Sequence, residues 1–297
     1  MSDSSKPLVP ALERGIAILE VLGTSRAGLT LSQLTRHLSL PKSSVHCLLR
    51  TLEATGYLYR DNASGKYRIS LRICELARQA LSGMSLREQA RPFLRELAAQ
   101  TGLTVHMAVL EQGSCVLIEK VTPPGAAPPA TWVGKQLGLH CTAIGKALIA
   151  YLPEDEVGRL VTEHGLIRYN DNTIRSVRQL NKELELVRQR GYALDDEEEE
   201  IGVRCIGTSV FNGNAEVVAS LSVAGTTAQI DDEALRRLAS LVIATAHRIG
   251  ERIKSQQFEA GNALPLPEPR PLEFAGSALF FAAARNQNKP AHDTLPA

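Results

Sequence analysis

No two cysteines in this 297-residue chain stand at CxxC spacing, and the total is odd: Cys47, Cys74, Cys115, Cys141 and Cys205. That pattern excludes a disulfide framework and implies reduced thiols. Long hydrophobic runs are missing too. The longest, LASLVIATA at 238–246, falls short of the roughly 18–20 apolar residues needed to cross a membrane. The opening MSDSSKP has no apolar segment of the secretory type, so a cytoplasmic protein is expected. A nucleotide loop is absent as well. TAIGKAL has no glycine five residues before Gly145, and Ala147 follows Lys146 where Ser or Thr is required. Lys146 therefore reads as a surface or capping residue, and the acidic run Glu197–Glu200 as a solvated loop. His140, Cys141 and Cys205 match no zinc spacing. No metal and no cofactor is expected.

Net charge is only +1, but it is unevenly spread. Over residues 31–70, six basic residues (Arg36, Lys42, Arg50, Arg60, Lys66, Arg68) stand against two acids (Glu53, Asp61), a local +4. A small basic region on a near-neutral chain suggests a polyanionic partner. The length allows two domains, and 44% hydrophobic residues can build their cores.

The basic region begins with helical periodicity. Leu12, Ile16 and Leu19 fall on one face of a first helix. Thr30-Leu31-Ser32-Gln33 is a capping box opening a second, whose core stripe is Leu31, Leu34 and Leu38. Ser39-Leu40-Pro41 is a short turn, and Pro41 suits the first turn of a third helix. There Val45, Leu48, Leu49 and Leu52 recur at i, i+3, i+4 and i+7 and must face inward. The opposite face carries Ser43, Cys47 and Arg50, flanked by Ser44 and His46, and Lys42 at the start of the helix is a further candidate for DNA contact. Tyr57–Arg60, a turn at Asn62–Gly65, and Tyr67–Ile69 then read as a β-hairpin bearing Arg60, Lys66 and Arg68. Helix, helix, turn, helix and basic hairpin is the order of a winged helix-turn-helix. Its third helix would read base edges of double-stranded DNA while the wing holds phosphates.

Residues 71–82, LRICELARQALS, are helix-prone and apolar on two sides, with Leu71, Cys74 and Leu81 on one stripe and Ile73, Leu76 and Ala80 on another. A helix of that kind is buried or paired. Ser85-Leu86-Arg87-Glu88 reads as a capping box for a helix ending at Gly102, with Pro92 kinking it or marking its true start. TVHMAVL and SCVLIEKV form a hairpin around Glu111-Gln112-Gly113. Strands at Tyr192–Asp195, Arg204–Phe211 and Val217–Ala224 follow a helix near Ser176–Arg190. A last helix spans about Asp232–Lys254. Antiparallel strands flanked by helices indicate an α+β sensor fold. Proline-rich composition predicts disorder for 257–297.

ALERGIAILEVL, GLTLSQLTRHLSLPKSSVHCLLRTLEATGYL and GKYRISLRICELA resemble the N-terminal domain of the IclR family of bacterial transcriptional regulators. WVGKQLGLHCTAIGKAL, GYALDDEEEEIGVRCIGTSVFN and VVASLSVAG resemble its effector-binding domain, which has a GAF-like fold. The resemblance covers residues ~8–256. It implies a DNA-binding domain at 1–70, a linker helix at 71–83 that packs against its dimer mate, and an effector-binding domain at 84–256. It also implies a small-ligand pocket using Asp195, Cys205 and Ser222 with backbone amides around Leu139, His140, Cys141 and Thr142. Amides that open a helix suit an anion, and Ser222 can donate a hydrogen bond. The chain departs from the family pattern at Cys47, where an arginine is usual, at Gly138, where proline is usual, and at Ala224, where some relatives carry a second pocket serine.

The reading is a regulator of metabolic genes that responds to a small organic acid and acts as a homodimer or a dimer of dimers. The rival is a zinc or cysteine hydrolase built on the C-terminal domain, for which His106, His140 and Cys205 supply the residue types.

Overall fold

The computed structural model describes residues 9–82, 84–126 and 129–260. Most of the expected disordered tail, from 261 onward, lies outside them. The described residues divide into two units, one ending at Ala80 and the other starting at Leu81.

In the first unit, α1 (Pro10–Gly23), α2 (Leu31–Leu38) and α3 (Lys42–Ala54) precede a hairpin of β1 (Leu58–Arg60) and β2 (Tyr67–Ile69). The capping box on α2 forms in full: Thr30 Oγ1 accepts from the Gln33 amide at 3.3 Å, and Gln33 Oε1 accepts from the Thr30 amide at 2.9 Å. Ser39 closes α2 in the left-handed conformation, φ +52°. Pro41 is the N-cap of α3, one place ahead of the first helical residue, so its missing N–H leaves no helical bond unmade. Ile18, Leu22, Leu34, Val45, Leu49, Leu58 and Tyr67 make the core. An antiparallel bridge from Leu29 to Tyr67 adds a third short segment to the hairpin.

The face of α1 that carries Leu12, Ile16 and Leu19 is not the one it buries. The face turned inward holds Gly15, Ile18 and Leu22, whereas Leu12 and Ile16 are 65% and 49% exposed and Leu19 is half-buried. Helix α1 is apolar on two faces, and periodicity alone cannot tell which one meets α2 and α3.

Helix α4 (Arg72–Ser82) begins just after Leu71, which is 84% exposed, and also presents Leu76 to solvent. The second unit opens with α5 (Ser85–Thr101). Its expected capping box does not form: Ser85 is already helical, and the N-cap is Met84, with no side-chain bond. Pro92 lies inside the helix and does not start it. The end at Gly102 (φ +68°) falls where the sequence placed it.

Strands β3 (Thr104–Glu111), β4 (Ser114–Val121), β5 (Gln136–Leu137), β6 (Ala193–Asp196), β7 (Val203–Phe211) and β8 (Val217–Thr226) form one antiparallel sheet in the order β5-β4-β3-β8-β7-β6. Gln112 and Gly113 both take positive φ between β3 and β4, the conformation of a tight hairpin turn. Helices α6 (Ala143–Ile149), α7 (Glu154–His164), α8 (Val177–Arg190) and α9 (Asp232–Ala260) complete the unit. Helix α7, which Pro153 opens with Glu154, Asp155 and Glu156 in its first turn, is an addition to the elements expected from the sequence.

The two faces of the sheet differ in chemistry. Val105, Met107 and Val109 of β3, Ile206 and Val210 of β7, and Ala219, Leu221 and Val223 of β8 pack against α5 and α9. By the period-two alternation of a strand, the other face carries Thr104, His106, Ala108, Cys205, Gly207, Ser209, Ser220, Ser222 and Ala224. These side chains are small or polar, so α6 can lie directly on the sheet. Ser209 Oγ donates to Ala147 O at 2.6 Å and Ser220 Oγ to Ile144 O at 2.8 Å. A Cβ on Gly207 would come within 2.7 Å of the Ala143 carbonyl. Beyond the N-terminal end of α6, the same small side chains leave space above the sheet.

Candidate DNA interface and effector site

On α3, Lys42, Ser43, His46, Cys47 and Arg50 are exposed, and Ser44 is half-buried at the margin. Val45 and Leu49 are buried beneath them. The Arg50 guanidinium has no hydrogen-bond or ion-pair partner among the described residues, which leaves all its donors available. On the hairpin, Arg60 lies over the Tyr67 ring, 5.7 Å from its centroid, and its Nε donates to Gly65 O at 3.4 Å. Arg68 Nη1 donates to Arg26 O at 3.1 Å. Arg68 thus ties the wing to the loop after α1, a positioning task that charge counting did not reveal. Lys66 is half-buried.

Above the sheet, beyond the start of α6, lies a cavity of about 310 Å³. Asp195 from β6, Cys205 from β7, Ser222 from β8 and Thr142, the N-cap of α6, all line it. Strand register explains the convergence: Asp195 pairs with Cys205, Cys205 with Ala224, and Ser222 with both Gly207 and His106. His106, Lys135, Tyr169 and Glu199 complete much of the polar lining. From the sequence, His106 is expected only as a candidate base. Its signal as a pocket residue was a polar position alternating with Val105 and Met107 in an apolar strand.

The cavity's electrostatics follow from burial. Desolvation, reinforced by Lys120 and Lys135, holds His106 down at about 4, so it is neutral near pH 7. Its Nε2 lies 2.8 Å from Thr131 Oγ1. Lys120 Nζ donates to the carbonyls of Pro129 (2.9 Å) and Thr131 (2.8 Å), and Lys135 Nζ to that of Ala130 (3.1 Å). Both lysines thereby pin the 129–131 loop over the cavity. Asp195 Oδ1 accepts from the Glu198 amide at 2.9 Å. Burial, with the Glu198 charge nearby, nevertheless pushes its carboxyl up to about 7. A carboxyl that is substantially protonated near neutrality can donate a hydrogen bond, which removes the repulsion an ionised Asp195 would exert on an anion.

The structure separates the other expected pocket residues from this group. Leu139 and His140 line a second cavity, of about 240 Å³, and His140 Nε2 lies 3.0 Å from Ile167 O. Cys141 is fully buried. A Cβ on Gly138 would strike Cys141 Sγ, a local reason for glycine at that position. Leu137 and Tyr169 line both cavities.

Lys146 is not a surface residue. It has no exposed area, pairs with Glu198 Oε1 and donates to Leu194 O at 2.5 Å. Nor is the acidic run a solvated loop. Glu198 is buried, Glu197 Oε2 accepts from the Gly202 amide at 2.7 Å, and Thr173 Oγ1 donates to Glu198 O at 2.7 Å. Composition suggested solvation, but an ion pair 52 residues apart in sequence draws the segment inward.

A winged helix-turn-helix joined to an α+β unit, with a cavity on which Asp195, Cys205, Ser222 and Thr142 converge, is the arrangement expected of a two-domain transcriptional regulator. Comparison with known families supports this. Residues 11–62 match the IclR helix-turn-helix domain, and residues 78–251 match the bacterial transcriptional regulator IclR C-terminal domain. The HTH-type transcriptional regulator XynR of Escherichia coli K12 is 34% identical over 229 residues, 77% of this chain and 91% of the relative. The transcriptional repressor IclR of the same organism is 30% identical over 243 residues, 81% of this chain and 89% of the relative. The crystal structure of Thermotoga maritima IclR has a TM-score of 0.68 at 27% identity, covering 82% of this chain and 98% of that one. The chain belongs to the IclR family of ligand-responsive bacterial transcriptional regulators.

Proposed function

We propose that the chain senses a small carboxylic acid in the cavity walled by Asp195, Cys205, Ser222 and Thr142, and that occupancy changes its affinity for an operator read by α3. The observation that carries this is the convergence of those four side chains from four separate elements on one cavity. His106 is neutral, burial pushes Asp195 and Glu199 toward their protonated forms, and Lys135 lines the same cavity, so a carboxylate can enter it. The proposed division of labour is 1–70 for DNA, 71–83 as connector and 84–256 for the effector, in the cytoplasm. Homodimers, or dimers of dimers, would cover Leu12 and Ile16 of α1 together with Leu71 and Leu76, all exposed in the single chain.

A role without catalysis fits the thiols. Burial pushes Cys115, Cys141 and Cys205 well above the ordinary thiol range, so none carries the thiolate a cysteine hydrolase requires. Among the described residues, no three His, Cys, Asp or Glu side chains group to hold a metal ion.

Calorimetry against a panel of carboxylates, paired with operator binding in the presence of each, tests the proposal. An acid that binds should change operator affinity by roughly 5–150-fold, and operator should change affinity for that acid by the same factor. Ser222→Ala should weaken the acid by about 1–3 kcal/mol while sparing operator binding by the free protein. If no acid binds, or if the acid that binds leaves operator affinity unchanged, the sensor role is wrong.

A further inference from the structure

A further cavity adjoins the one at Asp195 and Ser222. A second chamber, of about 320 Å³, is lined in part by the same residues: Pro129, Ala130, Glu200, Val203 and Ala224 belong to the walls of both. Sheet register shows how the two are laid out. Along one face of β8, Ser222, Ala224 and Thr226 follow at period two. Ser222 lines the first chamber, Ala224 both, and Thr226 the second. Across the sheet, His106 pairs with Ser222, Thr104 and Cys205 pair with Ala224, and Val203 pairs with Thr226. From Ser222 to Thr226 this floor runs about 13 Å, at roughly 3.3 Å per residue. The residue midway along it contributes only a methyl group, that of Ala224.

The chambers differ in chemistry. The first holds Asp195, Glu199, Ser222, His106 and Lys135, and shares Glu200 with the second. The second has no cation in its lining, and its one charged residue is the carboxylate of Glu200. Thr226 and Gln229 satisfy each other there, through Thr226 N to Gln229 Oε1 at 2.9 Å and Gln229 N to Thr226 Oγ1 at 3.2 Å. What remains is mainly apolar: Leu103, Ala126, Pro129, Ala130, Val203 and Ala224. A second negative charge on a ligand would therefore find no cation in this chamber, whereas Lys135 lines the first.

We infer that the two chambers form one elongated site, and that its ligand is a monocarboxylic acid with an uncharged, mainly apolar tail extending over Ala224 toward Thr226. A three-carbon acid, with two carbon–carbon bonds of about 1.5 Å, covers only a fraction of that floor. The inference rests on the carboxylate-sensing role of the first chamber and adds the length and the single charge of the ligand.

Calorimetry on the full chain with pyruvate, butanoate, hexanoate, octanoate and octanedioate tests it. Each methylene that enters an apolar chamber should tighten binding by roughly fourfold. Octanoate should then bind at least 30-fold more tightly than butanoate, and octanedioate more weakly than octanoate. Ala224→Leu, which places a branched side chain midway along the floor, should cut the octanoate-to-butanoate ratio below about threefold. Val203→Phe, which narrows the passage from β7, should do the same. The wild-type length series stands without either variant, should one of them fold poorly. If short acids bind and longer ones bind no better, the elongated site is refuted and the carboxylate pocket stands. If octanedioate matches octanoate, the claim of an uncharged tail is refuted. If none of the five acids binds, the carboxylate pocket is refuted and the elongated site with it.

Discussion

Lys146, without exposed surface, is ion-paired with Glu198, while Glu198 Oε2 has no hydrogen-bond partner among the described residues. The pair holds the first turns of α6 against β6 and the acidic turn that follows it, and so shapes the Asp195 side of the cavity. Removing one partner strands a buried charge. Lys146→Met should therefore destabilise the second unit by about 3–5 kcal/mol, whereas Lys146→Met with Glu198→Leu should recover much of that loss. Urea unfolding of the full chain, followed through its single tryptophan, Trp132, reads both values. A double variant no more stable than the single one would show that the charge pairing does not hold this corner.

Asp195 makes stability depend on pH in a sense opposite to most carboxylates. Its carboxyl titrates at about 7 when folded, against an ordinary 3.8. Between those values the folded chain holds a proton that the unfolded chain has lost. Its contribution is therefore present below pH 4, falls as pH rises to about 7, and is gone above that, an effect of up to about 4 kcal/mol. His106 works the other way. Its folded value near 4 lies below the ordinary 6.5, so stability is lost as pH falls from about 6.5 to 4. Asp195→Asn keeps an acceptor for the Glu198 amide and removes the first effect. It should be more stable than the parent at pH 8, with the advantage gone by pH 4 in urea titrations. An advantage independent of pH would mean that Asp195 does not titrate in this window.

Binding to operator DNA should weaken steeply with salt. If a dimer neutralises about six phosphates, log K should fall against log salt with a slope of roughly −5. Arg50→Ala should cost about 1–3 kcal/mol of specific binding if its free guanidinium reads a base. Arg68→Ala should act differently, through loss of the bond to Arg26 O, loosening the wing and weakening specific and non-specific DNA alike. Fluorescence anisotropy with operator and scrambled duplexes separates the two. Equal loss on both duplexes for Arg50→Ala would remove it from base reading.

Cys47 is exposed in the middle of the outward face of α3. Cys47→Ser should keep most operator affinity, since the hydroxyl is no larger than the thiol. Alkylating Cys47 with a bulky maleimide, in a chain with Cys74→Ser to remove the other exposed thiol, should block binding. Normal operator affinity after complete alkylation would show that another face of the helix meets DNA.

Much of this was legible in the sequence, because much of it is local. The Thr30 capping box, the i, i+3, i+4 stripe of α3 and the glycine end of α5 depend on neighbours within four or five residues, and periodicity and turn chemistry report such neighbours directly. Asp195, Cys205 and Ser222 were named through family likeness, and strand register explains why they meet. Tertiary structure decided the rest. Which apolar face of α1 is buried depends on α2 and α3. Lys146 and Glu198 look solvated in sequence because their partnership spans 52 residues and no local pattern records it. The cavity arises where α6, resting on glycine and serine, begins above a sheet face of small residues. That empty space is a property of packed layers, which no single segment of the chain contains.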